Sequence, residues 1–235
     1  MSKINILHYI EGAKQAEGLT VIIDVFRAFS LECYLHDMGV KEIRPVGTIE
    51  EAFRLKETLD NSLLIGERRG KMCEGFDYGN SPSSVSRERV EGKTIIHTTS
   101  AGTQGIVNAT GASEIITGSL VNARAVAEYI KIKNPEVVSL VCMGNNGVTQ
   151  ALEDELCAEY IKSILEGNEL QDMKARTEEL QFTGGKHFFD EAQKEVFPTA
   201  DFWMCIQYNK FPFIIRIEKD GIGYVARRVG NETFI

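Results

Sequence analysis

Short apolar runs of strand length recur along the chain at 19–24, 41–46, 62–66, 93–98, 114–118 and 136–142, and they predict strands. Between most of them lie stretches with apolar residues every three or four positions, at 48–59, 103–110, 121–131 and 149–165. That spacing predicts helices with one buried face. Thr48 and Ser119 stand where N-caps belong for two of these helices. Alternating strand and helix predicts an α/β fold, a three-layer sandwich whose mostly parallel or mixed sheet is flanked by helices. Ile214 to Ala226, with Asp220-Gly221 between apolar runs, predicts a C-terminal β-hairpin.

An internal echo adds to this picture. Gly39-Val-Lys-Glu-Ile43 leads into Gly47-Thr-Ile-Glu-Glu-Ala52, and Gly111-Ala-Ser-Glu-Ile115 leads into Gly118-Ser-Leu-Val-Asn-Ala123. Such an echo fits two similar half-sheets meeting at a cleft, built from lobes at about 18–66 and 92–142; it also fits a general likeness among β-loop-α units. The segment 67–92 is long, polar and without clear period, and with Phe76, Tyr78 and Pro82 it is expected to be an ordered binding loop. The stretch 169–196 is charged and expected to be helical. No linker composition divides the chain, so residues 1–235 are expected to form one α/β catalytic unit.

Composition narrows the class. A chain of 235 residues, 43% hydrophobic, can bury a full core. Its net charge of −8 and lack of any basic run argue against nucleic acid as a partner. The five cysteines are widely spaced without C-x-x-C pairs, which suits a reducing cytoplasm. The opening MSKINILHYIEGAKQ is too polar for a signal peptide, and no apolar stretch is long enough for a membrane helix. The expected partner is a small anion; a homodimer is compatible with the length.

The candidate chemistry lies in the loops that leave the strands, where open α/β sheets bind ligands. Asp24-x-x-Arg27-x-x-Ser30 follows an apolar run, and a charge placed there is costly unless paired. Gly66-Glu67-Arg68-Arg69-Gly70, Gly75 through Pro82, Thr98 through Thr103, and Cys142 through Gly147 followed by Glu153-Asp154-Glu155 complete the set. Hydroxyls and free N–H groups around Thr98, Thr99, Ser100, Gly102 and Thr103 could cradle an oxyanion, or simply cap a helix. Arg27, Arg68 and Arg69 could grip phosphate or sulfonate, or pair with surface acids. Asp24, Glu67, Asp77, Glu153 and Asp154 are hard oxygen donors without His or Cys companions, a set suited to Mg²⁺ rather than zinc. Adjacent on a helix, Glu153 and Asp154 diverge by about 100° and need not face one ion.

Other phosphate chemistries fail on spacing. Asp24-Val25-Phe26 lacks the second acid of a D-x-D phosphatase, Cys142 lacks an arginine in register after it, and no Walker loop is present. His8, His36, His97 and His187 form no metal-binding pair and are expected to be structural, although His97 abuts Thr98 and could line a site.

Taken together these loops resemble the 2-phosphosulfolactate phosphatase family across most of the chain. Its D-x-x-R-A-T-S pattern is matched by Asp24, Arg27, Ala28 and Ser30, and its G-E-R by Gly66, Glu67 and Arg68. G-x-D-x-G-N-S-P is matched by Gly75 through Pro82, T-T-x-N-G-T by Thr98, Thr99, Gly102 and Thr103, and E-D by Glu153 and Asp154. Phe29, Arg69 and Ala101 depart from threonine, glycine and asparagine of that pattern. The resemblance implies Mg²⁺-dependent hydrolysis of (2R)-2-phospho-3-sulfolactate to 3-sulfolactate and phosphate, in coenzyme M biosynthesis. It implies that Asp24, Arg27, Glu67 and Arg68 are catalytic, and that Asp24, Glu67, Glu153 and Asp154 supply the metal ligands. Ser30, Asn80, Ser81, Thr98, Thr99, Ser100, Gly102 and Thr103 would bind substrate. The alternatives are a phosphatase of another small phospho-acid, raised by Arg69 and Ala101, and a non-catalytic protein binding an anionic metabolite.

Overall fold

The computed structural model describes residues 2–230; Met1 and 231–235, the ends of the expected unit, lie outside the described residues. The chain opens with β1 (Lys3–His8), α1 (Tyr9–Lys14), β2 (Gly18–Ile23), α2 (Ala28–Asp37), β3 (Glu42–Pro45), α3 (Ile49–Thr58), β4 (Ser62–Arg68) and β5 (Lys71–Met72). It continues through α4 (Arg87–Val90), β6 (Thr94–Thr98), α5 (Gly102–Asn108), β7 (Ala112–Gly118), α6 (Ala123–Lys133), β8 (Val137–Cys142) and α7 (Leu152–Glu166). It ends with α8 (Met173–Glu179), α9 (Thr199–Cys205), β9 (Phe213–Lys219) and β10 (Tyr224–Gly230). The fold is α/β: these strands form one mixed sheet, ordered β1-β8-β2-β7-β9-β10-β3-β6-β4-β5, with helices on its faces.

The six expected strands are β2, β3, β4, β6, β7 and β8, and the expected hairpin is β9 with β10. Thr48 caps α3 by accepting from Glu51 N at 3.0 Å, while Glu51 accepts from Gly47 N in return. Ser119 caps a 3-10 turn at Leu120–Asn122 that runs on into α6. The opening residues, for which no element was expected, form β1, a half-buried edge strand, and α1. One expectation is corrected. The stretch 169–196 is not one helix: α8 gives way to short 3-10 turns around Gly184-Gly185, where glycine weakens a helix. There is no room for anything larger, since a Cβ on Gly185 would meet the Phe202 ring at 2.5 Å.

The sheet has two parallel halves, β1-β8-β2-β7 and β3-β6-β4, joined antiparallel through the β9–β10 hairpin. Outward from the hairpin, one half reads β7, β2, β8 and the other β3, β6, β4. The segments 18–66 and 92–142 thus place their strands in matching positions, each lending its first strand to the other's half. Three antiparallel joints make β2 and β6 run in opposite senses. Strand twist accumulated over the intervening steps, roughly 100–125°, turns their carboxyl ends toward a common side.

Helix α2 lies in a core shared by both halves, with Ile22 and Val141 from one and Ile43, Ile65 and Ile95 from the other. It is therefore buried on every side, Ala28 through His36, as a helix enclosed between layers must be. On the outer face of the first half, α6 and α7 cover Val21, Ile23, Val138 and Leu140. On the outer face of the second, α3 covers Leu64 and Ile96.

Candidate active site

At the exit of β2 the backbone turns so that Asp24 accepts from Ala28 N at 3.2 Å and lies directly over Gly102, the first residue of α5. A Cβ at Gly102 would stand 2.9 Å from Asp24 Oδ2, so this close approach requires glycine. Asp154, in the first turn of α7, accepts from Val25 N through Oδ1 and from Gly144 N through Oδ2, both at 2.8 Å. It thereby ties the exits of β2 and β8 together. Glu153 beside it is also buried, and its Oε2 has no hydrogen-bond partner. Both acids of the pair face the same cavity, because the start of α7 is enclosed by the loops around Gly144 and Gly184.

That cavity, of about 250 Å³, brings together Asp24, Arg27, Glu67, Asn80, Ser100, Glu153 and Asp154. Burial pushes Asp24 up to about 6, and the Glu67 carboxylate adds to the rise while the amides of Ala28 and Gly102 oppose it. Burial likewise pushes Glu153 up to about 7, with Asp24 contributing. Asp154 is held well above the usual carboxylate range by burial and by the charges of Asp24 and Glu153. Glu67 is satisfied differently: it accepts from Gly70 N and Ser100 N, each at 2.6 Å, and so clamps the β4–β5 turn to the loop after β6.

Arg27 is engaged inside the protein. Its Nη1 donates to Asp201 Oδ2 and Val196 O at 2.8 Å, its Nη2 donates to Gly70 O at 3.1 Å, and the group lies 4.9 Å from the Phe197 ring centroid. Asp201 also accepts from Ser81 Oγ and Ser83 N, which secures the loop carrying Asn80 and Ser81. Arg68 does not line this cavity. It donates to Glu67 O and Thr98 Oγ1 and borders a neighbouring groove with Thr99.

The remaining candidates lie behind the wall. Thr99 and Thr103 bond each other, Thr99 N donating to Thr103 Oγ1 at 2.8 Å and Thr103 N to Thr99 Oγ1 at 3.1 Å. Ser30 donates to Val25 O and shares a hydrogen bond with Ser119. Of the hydroxyl run only Ser100 reaches the cavity, and its N–H is already given to Glu67. His97 is buried, with Nδ1 2.8 Å from Glu32 and Nε2 3.2 Å from Asn80 Oδ1, so it steadies a lining residue without lining the cavity itself.

The stretch 169–196, expected to be a charged helix, and the residue after it supply wall residues that carried no motif: His187, Gln193 and Phe197, with Asp201 beyond them. His187 packs on Phe188 and Phe197, and burial followed by the nearby Arg27 charge lowers its affinity for a proton. No spacing rule connects these residues to Arg27, more than 150 positions earlier.

The acids fit a hard divalent cation. Three buried carboxylates repel one another, and one buried oxygen lacks any partner; a cation would offset both. Among the described residues the only trio of His, Cys, Asp or Glu with ligand atoms within 4.8 Å of one another is His8, Cys142 and Glu155, outside this cavity. The cavity acids are thus no closed cage. They suit Mg²⁺, which keeps waters and shares its ligands with a substrate.

A mixed α/β sheet whose strand ends enclose a small polar cavity with an acidic floor defines a small-molecule enzyme of the doubly covered sheet class. The chain belongs to the 2-phosphosulpholactate phosphatase family, whose model matches residues 5–220. It is 30% identical over 205 residues to a probable 2-phosphosulfolactate phosphatase of Bacillus subtilis, covering 86% of this chain and 88% of that protein. A protein of the same description from Caldanaerobacter subterraneus is 35% identical over 220 residues, covering 88% and 90%. One from Thermotoga petrophila is 41% identical over 174 residues, covering 74% of each. Membership of a phosphatase family supports a hydrolase acting on a small phosphate ester.

Proposed function

We propose that the protein is a Mg²⁺-dependent phosphomonoester hydrolase converting (2R)-2-phospho-3-sulfolactate and water to 3-sulfolactate and phosphate, in the cytoplasm and in coenzyme M biosynthesis. The observation that carries this reading is the cluster of Asp24, Glu153 and Asp154, buried yet open to one small cavity, in a chain of this family. The cavity draws on residues from Asp24 to Phe197, which supports treating the chain as one catalytic unit. A duplication of 18–66 and 92–142 would account for the matching strand positions.

In this reading Asp24 and Glu153 hold the cation, with Glu67 and Asp154 close by. When bound, the ion supplies the positive charge that a transferring phosphoryl group requires. Asp154 keeps the exits of β2 and β8 in register, and Glu67 fixes Gly70 and Ser100 on either side of the substrate. Arg27, immobilised by Asp201, presents a fixed guanidinium face, and Asn80 and Ser100 offer hydrogen bonds at the wall. Arg68 positions Thr98 and the loop that follows it. Without the cation, burial raises Asp24 to about 6 and Glu153 to about 7, so cation binding near neutral pH releases protons from these ligands.

The test is phosphate release from 2-phosphosulfolactate with Mg²⁺, with EDTA, and with Asp24→Asn alongside. Metal-dependent release that the variant loses is the expected result. No release from this ester, with Mg²⁺-dependent release from another phosphomonoester, would reject the substrate and keep the chemistry. Single turnover in ¹⁸O water bears on the route: label found in the protein, and not only in phosphate, rejects direct attack by water.

A further inference from the structure

The lining of the cavity changes character with depth. Its buried part carries the acids Asp24, Glu67, Glu153 and Asp154, while its exposed part consists of Arg69, Asn145, Asn146 and Gln193. Two guanidinium groups line it, and they are not equivalent. Arg27 is neutralised by Asp201 at 2.8 Å and spends further donors on Val196 O and Gly70 O. Arg69 makes no ion pair and no side-chain hydrogen bond among the described residues. It is the uncompensated positive charge at the mouth of an otherwise acidic cavity.

The backbone of Arg69 is well held. Its N–H donates to Ser100 Oγ at 3.1 Å, and Glu67 grips Gly70 N on one side and Ser100 N on the other. Arg69 sits at φ +54°, in the left-handed region that residues with a Cβ seldom adopt. Glycine would meet that conformation more easily, so neither local geometry nor packing accounts for an arginine here.

We infer that Arg69 is a specificity-determining residue that binds an acid group on the alkyl part of the substrate, away from the phosphoryl group. The inference rests on the phosphatase reading and deepens it. The acidic floor, once it holds a cation, receives the phosphoryl group; the free guanidinium at the mouth receives a sulfonate or carboxylate, whose paired oxygens match its fork of donors. The preferred class is therefore a phosphomonoester of a small acid, in preference to one with a neutral alkyl or aryl group.

The experiment compares Arg69→Gly with the unaltered protein in Mg²⁺ on three esters: 2-phosphosulfolactate, 2-phospholactate and phenyl phosphate, which has no second acid. Glycine suits the positive φ, and a thermal melt checks that the variant folds. The expected result is a loss in kcat/KM about tenfold or more greater on the acid esters than on phenyl phosphate, expressed mainly in KM. The relative loss on the two acid esters tells sulfonate from carboxylate. Equal losses on all three esters would place Arg69 on the phosphoryl group, and no loss would leave it without a role; either overturns the inference. If the unaltered protein hydrolyses none of them, the phosphatase reading fails, and calorimetric titration with 3-sulfolactate decides the inference separately. Weaker binding to Arg69→Gly would then uphold acid recognition, and equal binding would reject it.

Discussion

Arg27 and Asp201 meet at 2.8 Å with side chains only 3% and 0% exposed, joining the exit of β2 to α9 across most of the chain. The same carboxylate takes Ser81 Oγ and Ser83 N, so one pair anchors the strand exit, the Asn80–Ser81 loop and the last helix. Removing one partner leaves a buried charge unanswered.

Asp201→Ala is therefore expected to lower stability by about 3–5 kcal/mol, measured by urea unfolding. A loss below about 1 kcal/mol would show that water reaches Arg27 and that the pair is not the anchor described.

Stability should depend on pH in a definite sense when divalent cations are stripped away. Burial raises Asp24 to about 6 and Glu153 to about 7, so the folded chain holds protons that the unfolded chain releases near pH 4. Their contribution is complete below about pH 4 and is lost as pH rises through 6 to 7, on the order of 3 kcal/mol for each group. Asp24→Asn should flatten this dependence and be the more stable protein at pH 8. Unfolding in EDTA at pH 4.5 and pH 8 measures both effects, and a parallel profile for the variant would contradict them.

Cation binding should appear in stability as well as in turnover. At pH 8, Mg²⁺ at about 100 times its Kd adds ~2.7 kcal/mol. For a chain of this size that raises Tm by roughly 5–10 °C. Glu153→Gln removes an oxygen charge without changing shape and should abolish most of the rise. An undiminished rise in the variant would move the ion away from Glu153.

Gly102→Ala tests the approach of α5 to Asp24. The added methyl would lie 2.9 Å from Asp24 Oδ2 and 3.0 Å from both Ala28 Cβ and the Phe29 ring. Overpacking of this kind costs about 1–3 kcal/mol, and displacing Asp24 should cut kcat by about 100-fold. Unchanged turnover would mean that the position of Asp24 is not critical.

Much of the architecture is legible locally. The Val21 to Ile23 run is unbroken because β2 is covered on both faces, and the Thr48 cap and the Asp220-Gly221 turn depend on neighbours a few residues away. The edge strand β1 is less legible because its half-exposed positions dilute the pattern. In the site, the loops carrying Asp24, Glu67, Ser100 and Glu153-Asp154 stand out because polar residues directly after apolar strands are conspicuous. Their partnerships do not stand out. Nothing near Arg27 announces Asp201, nothing in Thr99 and Thr103 shows that they bond each other, and Arg68 and Arg69 look alike in sequence although one borders a neighbouring groove and the other the cavity.

The sequence by itself determined the alternation of strand and helix, the hairpin and the loops that carry polar chemistry, because these rest on side-chain periodicity and short-range hydrogen bonds. Only the tertiary structure decided that two half-sheets of opposite sense turn their carboxyl ends to one cavity, that the acids there are buried together, and that Arg27 is neutralised while Arg69 is free. Those outcomes depend on strand order, accumulated twist and burial, which arise from contacts between residues far apart in the chain.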